Sequence, residues 1–319
     1  MSANAKTPQS DKTSTSTSDN KQTTLKARRR ASETALSTLR WRAIEALRPE
    51  DERICSDLVA SKLMGPLWRC FSQVWFIKRR LIRAFEKEDT GVANFVVGRT
   101  RYIDDLLNSQ IEGGIKQLVI LGAGYDTRAY RFSRLEGQAK VFELDDFATL
   151  KLKFARLRFG LRSFPKNVAY VPIDFNRDRL DLRLFQSGYD KTLKTFFIWE
   201  GVVNYLTPEA VDKTLAFIAS NSGQGSSVVF DYYFASVVDG TSELYEARKA
   251  REVVAEVGEP LLFGINPDKL AGFLSSRGFK LTQNLKSESL KEMYFKGKSQ
   301  QRKVFPLVAI AVASVQHSR

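Results

Sequence analysis

Residues 118–128 read Leu-Val-Ile-Leu-Gly-Ala-Gly-Tyr-Asp-Thr-Arg, a short apolar run that leads directly into a turn with two glycines. An apolar run of this length is typical of a buried strand, and the two glycines let the backbone turn tightly and approach a ligand. A dinucleotide-binding fingerprint would have a third glycine, and Thr127 stands in that position. Taken alone, the stretch predicts a strand and a turn, and it leaves a ligand loop and an ordinary turn equally open.

Similar apolar runs alternate with helical segments through the rest of the chain. The predicted strands are Leu118–Leu121, Val141–Leu144, Val168–Ile173, Thr195–Trp199, Ser227–Phe230 and Val304–Val312. The predicted helices between them include Leu150–Phe159, Ala210–Ser220 and Pro267–Arg277, the last closed by Gly278. This alternation predicts an α/β fold with a mostly parallel, doubly wound sheet and helices on both faces.

The N-terminal third has a different pattern. Residues 1–20 contain no branched aliphatic or aromatic side chain, which predicts a disordered tail that runs to residue 30 and ends in basic residues. We interpret that basic run as a solvated charge run rather than an address or an anion-binding patch, and no apolar segment of a secretory signal follows it. Apolar residues then recur at three- and four-residue steps. The chain is therefore divided into a tail (1–30), an N-terminal helical cap (31–110) and a sheet-containing domain (111–319).

One helical stretch, Leu67–Phe85, is rich in aromatic residues and arginines. Its many charges exclude a membrane span. Two interpretations remain for its apolar stripe, which consists of Trp68, Phe71, Trp75, Phe76, Ile82 and Phe85. It could bind a membrane surface, or it could pack onto a neighbouring domain, which is the commoner case.

The composition of the chain excludes several classes of enzyme. Lys and Arg number 50 against 36 Asp and Glu among 319 residues, so the net charge of +14 favours acidic partners. Cys55 and Cys70 fit no disulfide or metal pattern, which favours a reducing, cytoplasmic setting. The single histidine, His317, excludes Ser-His-Asp hydrolases, histidine-dependent metalloproteases and most zinc enzymes. We therefore expect no metal, and a site that works with carboxylates, tyrosine, arginine, lysine and backbone amides.

Acidic residues stand at four successive predicted strand ends, where such folds bind ligands. Asp145 follows Gly124 by 21 residues, the spacing at which an acid accepts hydrogen bonds from ribose hydroxyls. The alternative is that Asp145 only caps the helix that begins near Phe147. Asp174 with Phe175 could hold an adenine, and Glu200 with Tyr205 lies at the fourth end. Such an acidic rim would repel a pyrophosphate, so the cationic S-adenosyl-L-methionine fits better than NAD.

Four stretches together resemble a known family. Residues 99–105 read Arg-Thr-Arg-Tyr-Ile-Asp-Asp, residues 119–131 contain Gly-Ala-Gly-Tyr-Asp-Thr-Arg-Ala-Tyr-Arg, residues 142–145 read Phe-Glu-Leu-Asp, and residues 200–206 read Glu-Gly-Val-Val-Asn-Tyr-Leu. This combination is similar to the leucine carboxyl methyltransferase family, and most similar to its bacterial branch named for dependence on S-adenosyl-L-methionine. The resemblance implies a class I methyltransferase with a Rossmann-like sheet, an antiparallel last strand and a helical cap over the substrate.

The resemblance also implies roles for individual residues. Arg99 would bind the methionine carboxylate, although Arg101 could serve on spacing alone, and Asp126, Arg128 and Arg131 would form structural ion pairs. The implied cofactor-binding residues are Arg99, Gly122, Gly124, Asp145, Asp174, Phe175 and Glu200. The sequence departs from the family at Asp145-Asp146-Phe147, which lacks the proline often found there, and in the helices before the sheet, so the substrate does not transfer.

The chemistry of methyl transfer indicates the class of the acceptor but not its identity. A carboxylate acceptor is ionised at neutral pH and needs no general base, whereas a phenol with a pKa of about 10 needs one. Because the one histidine stands near the chain end, the sequence favours O-methylation of a carboxylate, on a small molecule or a protein, over other oxygen acceptors. Tyr205 is the candidate on the substrate side. The acceptor's identity and the oligomeric state are left open.

Parts of the sequence are also compatible with two other functions. An NAD-dependent reductase would use a Tyr-x-x-x-Lys pair, and Tyr245 with Lys249 and Tyr294 with Lys298 match that spacing. An RNA-binding protein or a tRNA-modifying methyltransferase would suit the net charge, but no nucleic-acid-binding motif supports it. The methyltransferase accounts for more of the sequence than either.

Overall fold

A computed structural model describes residues 33–88, 90–161, 163–256 and 260–317 of the chain. The predicted disordered tail of residues 1–30 lies outside this part. The side chain of residue 256 is likewise not described.

A seven-stranded sheet forms the centre of the described chain, in the order β3-β2-β1-β4-β5-β7-β6. The strands are β1 Gln117–Leu121, β2 Lys140–Asp145, β3 Val168–Pro172, β4 Thr195–Trp199, β5 Ser227–Tyr233, β6 Phe279–Lys286 and β7 Val308–Val315. Strands β1 to β5 pair in parallel, and β7 runs antiparallel to both of its neighbours. The predicted α/β class, with a doubly wound sheet and an antiparallel last strand, is confirmed.

Side chains alternate between the two faces of the sheet, as the pleat of a strand requires. In β1, Val119 and Leu121 pack on one face, whereas Leu118 and Ile120 pack on the other. All five residues of β1 are buried. A strand buried on both faces reads as a continuous apolar run, which is why the sequence revealed it.

The end of the sheet differs from the prediction. The last strand is Val308–Val315 rather than Val304–Val312, and β6 at Phe279–Lys286 was not predicted. Strand β6 lies at the edge of the sheet, pairs only with β7 and exposes much of its polar side chains. Because only part of β6 is buried, its sequence carries no apolar run.

The helices cover both faces of the sheet and one end of it. The helices before the sheet are α1 33–45, α2 Leu58–Leu63, α3 Pro66–Ser72, α4 Trp75–Glu86 and α5 Val92–Glu112. Those that follow are α6 Arg128–Arg131, α7 Phe147–Gly160, α8 Leu180–Gln186, α9 Pro208–Ser220, α10 Ala235–Val238, α11 Tyr245–Glu256, α12 Leu270–Ser275 and α13 Ser287–Tyr294.

The N-terminal region is helical, as predicted, and it shares its core with the sheet. Phe95, Ile103 and Leu107 of α5 pack into the same buried cluster as Leu118 of β1. Helices α1 and α2 pack around Tyr125, which follows the glycines. The division predicted at residue 110 therefore falls inside the continuous helix α5.

The aromatic stripe of α3 and α4 packs only in part, because Trp68, Ile82 and Phe85 contact buried clusters whereas its other members do not. Phe85 is buried, but Phe71, Trp75 and Phe76 are 55%, 70% and 65% exposed. The prediction that the whole stripe is buried is therefore wrong. Among the described residues, we find no helix whose length and apolar character would suit it to cross a bilayer.

Gly122 gives a stability prediction. Its φ of +70° is costly for other residues, and a Cβ there would lie 2.2 Å from Cγ2 of Val202. We expect Gly122→Ala to lower the free energy of unfolding by about 3 kcal/mol, combining strain and overpacking. Gly114→Ala is the control, because Gly114 has a φ of +75° but open space around it, and should cost about 1 kcal/mol. Equal losses for both variants in urea unfolding would show that the Val202 contact is unimportant.

Candidate functional site

A cleft of about 450 Å³ opens where the parallel strands end. Its floor is made by the segments that follow β1, β2, β3 and β4, and helix α1 lies along one side. This volume is in the range of sites for small molecules and cofactors. The lining residues are Thr34, Ala35, Thr38, Arg42, Arg99, Ile120, Gly122 to Asp126, Asp145, Asp146, Thr149, Ile173 to Asn176, Glu200 to Val202, Tyr205, Leu206, Pro260 and Leu262.

Asp145 stands at the end of β2 and holds the glycine turn. Its Oδ2 accepts a hydrogen bond of 2.6 Å from the N–H of Gly124, and its Oδ1 accepts one of 2.7 Å from the N–H of Asp146. Burial raises the pKa of Asp145, and these two amide hydrogen bonds offset part of that rise. The cap of α7 is Asp146, whose side chain accepts from the N–H of Ala148, so the capping interpretation of Asp145 is wrong.

The glycine turn is packed tightly on both sides. Gly122 lies against Val202 beyond β4, and a Cβ at Gly124 would lie 3.4 Å from Cβ of Ala35 in α1. The turn thereby sits between the end of β4 and the first turns of α1. The contact with Val202 explains why residue 122 is glycine, because the Cβ of any other residue would collide with that side chain. Space for a ligand is not the only reason.

The third and fourth strand ends complete the floor. Asp174 lines the cleft with a carboxylate that is partly exposed and accepts from the N–H of Asn176. Phe175 lines the cleft beside it and packs partly on the core. Tyr205 lines the cleft beyond β4, in a short 3-10 turn at Val203–Tyr205.

Arg99 reaches the cleft from α5 and pairs with two carboxylates. Its Nε lies 2.9 Å from Oε1 of Glu200, and its Nη1 lies 2.6 Å from Oδ2 of Asp231. Its Nη2 lies beside the cleft-lining Gly201 and donates no hydrogen bond to a described residue. Arg101 pairs with Asp105 on the surface and does not line the cleft. The structure thus places Arg99 in the cleft and Arg101 outside it, a distinction that spacing in the sequence could not make.

Glu200 is held between two arginines. Its Oε2 lies 2.6 Å from Nη1 of Arg128, while its Oε1 takes the bond from Arg99. Arg128 also pairs with Asp126 and Asp104. The neighbouring arginines lower the pKa of Glu200 to about 2 despite its burial. Glu200 is therefore ionised throughout the neutral range and is a poor proton acceptor.

The ion pairs continue to the N-terminal helices. Arg131 binds Asp104 with both Nη atoms, at 2.7 and 3.0 Å, and its Nε lies 3.4 Å from Asp57. Asp57 also pairs with Arg42 of α1 at 2.7 Å and accepts from the hydroxyl of Thr127 at 2.6 Å. We call this set the arginine–carboxylate network. Its members are Arg42, Arg99, Arg128, Arg131, Asp57, Asp104, Asp126, Glu200 and Asp231.

The charges of the network do not cancel. Four arginines face five carboxylates, so one negative charge is left over beside the cleft. Among the described lining residues, the carboxylates of Asp126, Asp145, Asp146, Asp174 and Glu200 outnumber the cations of Arg42 and Arg99. A positively charged ligand would be stabilised there, and a polyphosphate would be repelled.

Sequence reasoning missed several members of this network. Asp231 follows the predicted strand Ser227–Phe230, so the rule that drew attention to the other strand ends could have found it. Asp57 and Asp104 carried no such signal. Asp104 lies within α5 and Asp57 caps the start of α2, and both meet arginines only after folding brings separate parts of the chain together.

The residues of the reductase alternative lie elsewhere. Tyr245 and Lys249 are in α11, where Lys249 pairs with Glu252. The hydroxyl of Tyr294 donates to Asp105, and Lys298 pairs with Glu52. None of these side chains lines the cleft, nor does the exposed His317. Among the described residues, no group of three or more His, Cys, Asp or Glu could hold a metal ion.

The sequence of the chain is similar to those of known proteins. The family model of leucine carboxyl methyltransferase matches residues 35–219 of the chain. YktD of Bacillus subtilis strain 168, provisionally named an S-adenosyl-L-methionine-dependent methyltransferase, is 25% identical over 268 residues, which cover 81% of this chain and 88% of YktD. A relative in Mycolicibacterium vanbaalenii with the same provisional name is 32% identical over 188 residues, 58% of this chain and 60% of that protein.

Solved structures show the same fold at low identity. A provisionally named methyltransferase from Thermobifida fusca superposes with a TM-score of 0.54 at 15% identity, covering 86% of this chain and 97% of that one. A DUF574 family protein from Streptomyces avermitilis gives a TM-score of 0.52 at 15% identity, covering 85% and 99%.

The depressed pKa of Glu200 predicts an acid-sensitive fold. Because its pKa is about 2 in the folded chain and 4.5 ordinarily, its contribution is complete above pH 4.5 and is lost as the pH falls toward 2. That contribution is about 3 kcal/mol of unfolding free energy. Asp57, whose pKa is lowered by Arg42 and Arg131 against its burial, acts in the same direction.

Urea unfolding between pH 2.5 and 7 would measure this effect. Glu200→Gln should be less stable than the wild type at pH 7 and should lose less stability on acidification. Glu136→Gln, which changes an exposed carboxylate, is the control and should follow the wild type. A Glu200→Gln curve parallel to that of the wild type would contradict the assignment.

Proposed function

The chain belongs to the leucine carboxyl methyltransferase family, and from that premise we propose that it transfers a methyl group to a carboxylate oxygen. It is an S-adenosyl-L-methionine-dependent methyltransferase, which the family match and the named relatives support. The carboxylate acceptor and the residue roles that follow are our proposal. They rest on the charges and hydrogen bonds of the cleft.

The cleft fits this cofactor in charge and in donor chemistry. The cofactor carries a sulfonium, an ammonium and a carboxylate but no phosphate, and the cleft has an excess of carboxylates with one arginine free to take a further bond. Nη2 of Arg99 would bind the cofactor carboxylate, and Glu200 would face the ammonium. The cofactor-binding residues that we propose are Arg99, Gly122, Gly124, Asp145, Asp174, Phe175 and Glu200.

Asp145 and Asp174 would hold the adenosine part. Each oxygen of Asp145 accepts one amide hydrogen bond, and a carboxylate oxygen has a second lone pair for a ribose hydroxyl. The ring of Phe175 offers a face for the adenine, whose amino group would donate to Asp174.

The helical cap (31–110) and the methyltransferase domain (111–319) also belong to the proposal, although helix α5 crosses the boundary between them. The cap would cover the acceptor.

When bound, the cofactor would supply an electrophilic methyl group for transfer to an acceptor oxygen, and Arg99 and Glu200 would hold its amino-acid end beside the acceptor. The protein's part is to align the two reactants and to exclude water. The rigid network behind Arg99 and Glu200 fixes these side chains before ligands arrive. The excess negative charge of the cleft stabilises the positive end of the bound molecule.

The observation that carries the carboxylate proposal is the lack of a histidine or lysine base among the described residues of the cleft, whose carboxylates are weak bases. Among the described lining residues there is no histidine or lysine. Glu200 is ion-paired with a pKa of about 2, and Asp145 is bonded to the glycine turn. An ionised carboxylate acceptor needs no proton removed, whereas an alcohol or phenol does. Hydroxyl groups of Thr34, Thr38 and Tyr205 line the remaining space and would receive the acceptor.

Cofactor binding tests the assignment of Asp145. Its replacement by alanine removes hydrogen bonds to a charged group, so we expect Asp145→Ala to lower affinity for S-adenosyl-L-methionine at least about tenfold. Isothermal titration would measure this, with Asp212→Ala on the exposed side of α9 as the control. Asp174→Ala, which disturbs the backbone less, should also weaken binding. Unchanged affinity in both cleft variants, with folding verified by circular dichroism, would overturn the assignment.

The acceptor is tested with labelled cofactor and matched carboxylic acids and phenols. Methyl esters release labelled methanol in alkali, whereas methyl ethers do not. For a carboxylate acceptor the rate should change less than about threefold between pH 6 and 9, because the acceptor is already ionised. A phenol handled without a base would show a rise of about tenfold per pH unit.

Tyr205→Phe separates positioning from base catalysis. If Tyr205 only orients a carboxylate, the rate should fall less than about tenfold, since one hydrogen bond is lost. A loss of about a hundredfold, or product stable to alkali, would contradict carboxyl methylation while leaving the cofactor assignment intact.

A further inference from the structure

The connection between α3 and α4 exposes large apolar side chains that no described part of the chain covers. Leu67, Phe71, Val74, Trp75 and Phe76, which we call the apolar tip, are between 37% and 72% exposed. They stand within ten consecutive residues, so they form one local surface. Clustered exposure of this kind marks an interaction site, whereas single exposed apolar residues are ordinary.

The sequence around the tip is rich in basic residues. Residues 58–85 contain six Lys and Arg and no Asp or Glu. Arg69, Arg80 and Arg83 are exposed and form no ion pair with a described residue. Arg79 lies over the ring of Trp75, with its Cζ 5.5 Å from the ring centroid. The cations therefore flank the apolar side chains without being neutralised.

A second basic segment lies next to the first. Residues 147–173 also contain six Lys and Arg and no acid, and they include α7, although Lys153 among them is buried and paired with Glu143. Helix α2 packs on α7, where Nη1 of Arg156 donates to the carbonyl of Leu63. Phe159 at the end of α7 is 80% exposed. The basic character therefore extends over contiguous helices rather than over one turn.

We propose that the apolar tip and its flanking arginines bind the surface of an anionic lipid bilayer. Tryptophan and phenylalanine beside Lys and Arg, without acids, are the composition of segments that lie in the interface of such membranes. A nucleic acid would pair with the cations, but it would give the aliphatic Leu67 and Val74 nothing to pack against. A bilayer satisfies both sets, because hydrocarbon takes the tip and headgroups take the arginines. This proposal is independent of the methyl acceptor.

Co-sedimentation with vesicles tests it, using the full chain. We expect binding to vesicles of 30% phosphatidylglycerol in phosphatidylcholine, little binding to pure phosphatidylcholine, and weaker binding in 0.5 M NaCl. Arg80→Glu with Arg83→Glu should lower the partition coefficient at least about tenfold. Lys280→Glu with Lys286→Glu, exposed on β6 at one edge of the sheet, makes the same change in net charge and should keep binding within about twofold.

The apolar part is tested by Trp75→Ser with Phe76→Ser, which should also lower partitioning at least about tenfold. Leu182→Ser with Met293→Ser, two exposed apolar residues elsewhere, is the control. Thermal unfolding would verify that all variants fold. No binding to anionic vesicles, or binding indifferent to the tip variants, would overturn the proposal. So would binding of single-stranded RNA, or dimerisation seen by light scattering, that the same variants abolish while vesicles are not bound.

Discussion

Burial of charge is the constraint on which the cleft depends. Arginines and carboxylates of the network lie at the junction of the N-terminal helices, the glycine turn and two strand ends. Removing such groups from water costs several kcal/mol each, and only close pairing with several partners offsets that cost. Arg128 meets the requirement by bonding to Asp104, Asp126 and Glu200 together. The position of each backbone segment is consequently tied to that of the others.

The same constraint shapes the chemistry. A carboxylate held by two arginines stays ionised and gives the cleft a fixed charge, but it does not accept a proton in the neutral range. Glu200 is of this kind, whereas Asp145 owes its position to the backbone amides of Gly124 and Asp146. The pKa values of the two acids are therefore displaced in opposite directions: the arginines lower that of Glu200, whereas burial raises that of Asp145.

The sequence predicted those features whose signals lie close together in the chain. The parallel strands and their acidic ends could be located because an apolar run and the acid after it are neighbours in the chain. Strand β6 was missed because an edge strand needs few apolar residues. Asp57 and Asp104 were missed because their arginine partners are 15 to 74 residues away. Periodicity showed that the stripe with Trp75 and Phe76 is amphipathic. It could not show that nothing described in the chain covers those two side chains.

Helix α1 presents Thr34, Thr38 and Arg42, four residues apart, along the cleft. The third is held by Asp57 and by the carbonyl of Tyr125, whereas the hydroxyl of Thr38 donates only to its own helix. A substitution therefore has different consequences at Thr38 and at Arg42. A change at Thr38 alters the wall of the cleft and removes one hydrogen bond within α1, whereas a change at Arg42 leaves the buried carboxylate of Asp57 with one cation fewer. The wall of the cleft can accordingly be altered at Thr38 with little cost to the fold, while Arg42 is tied to the packing of the whole N-terminal region.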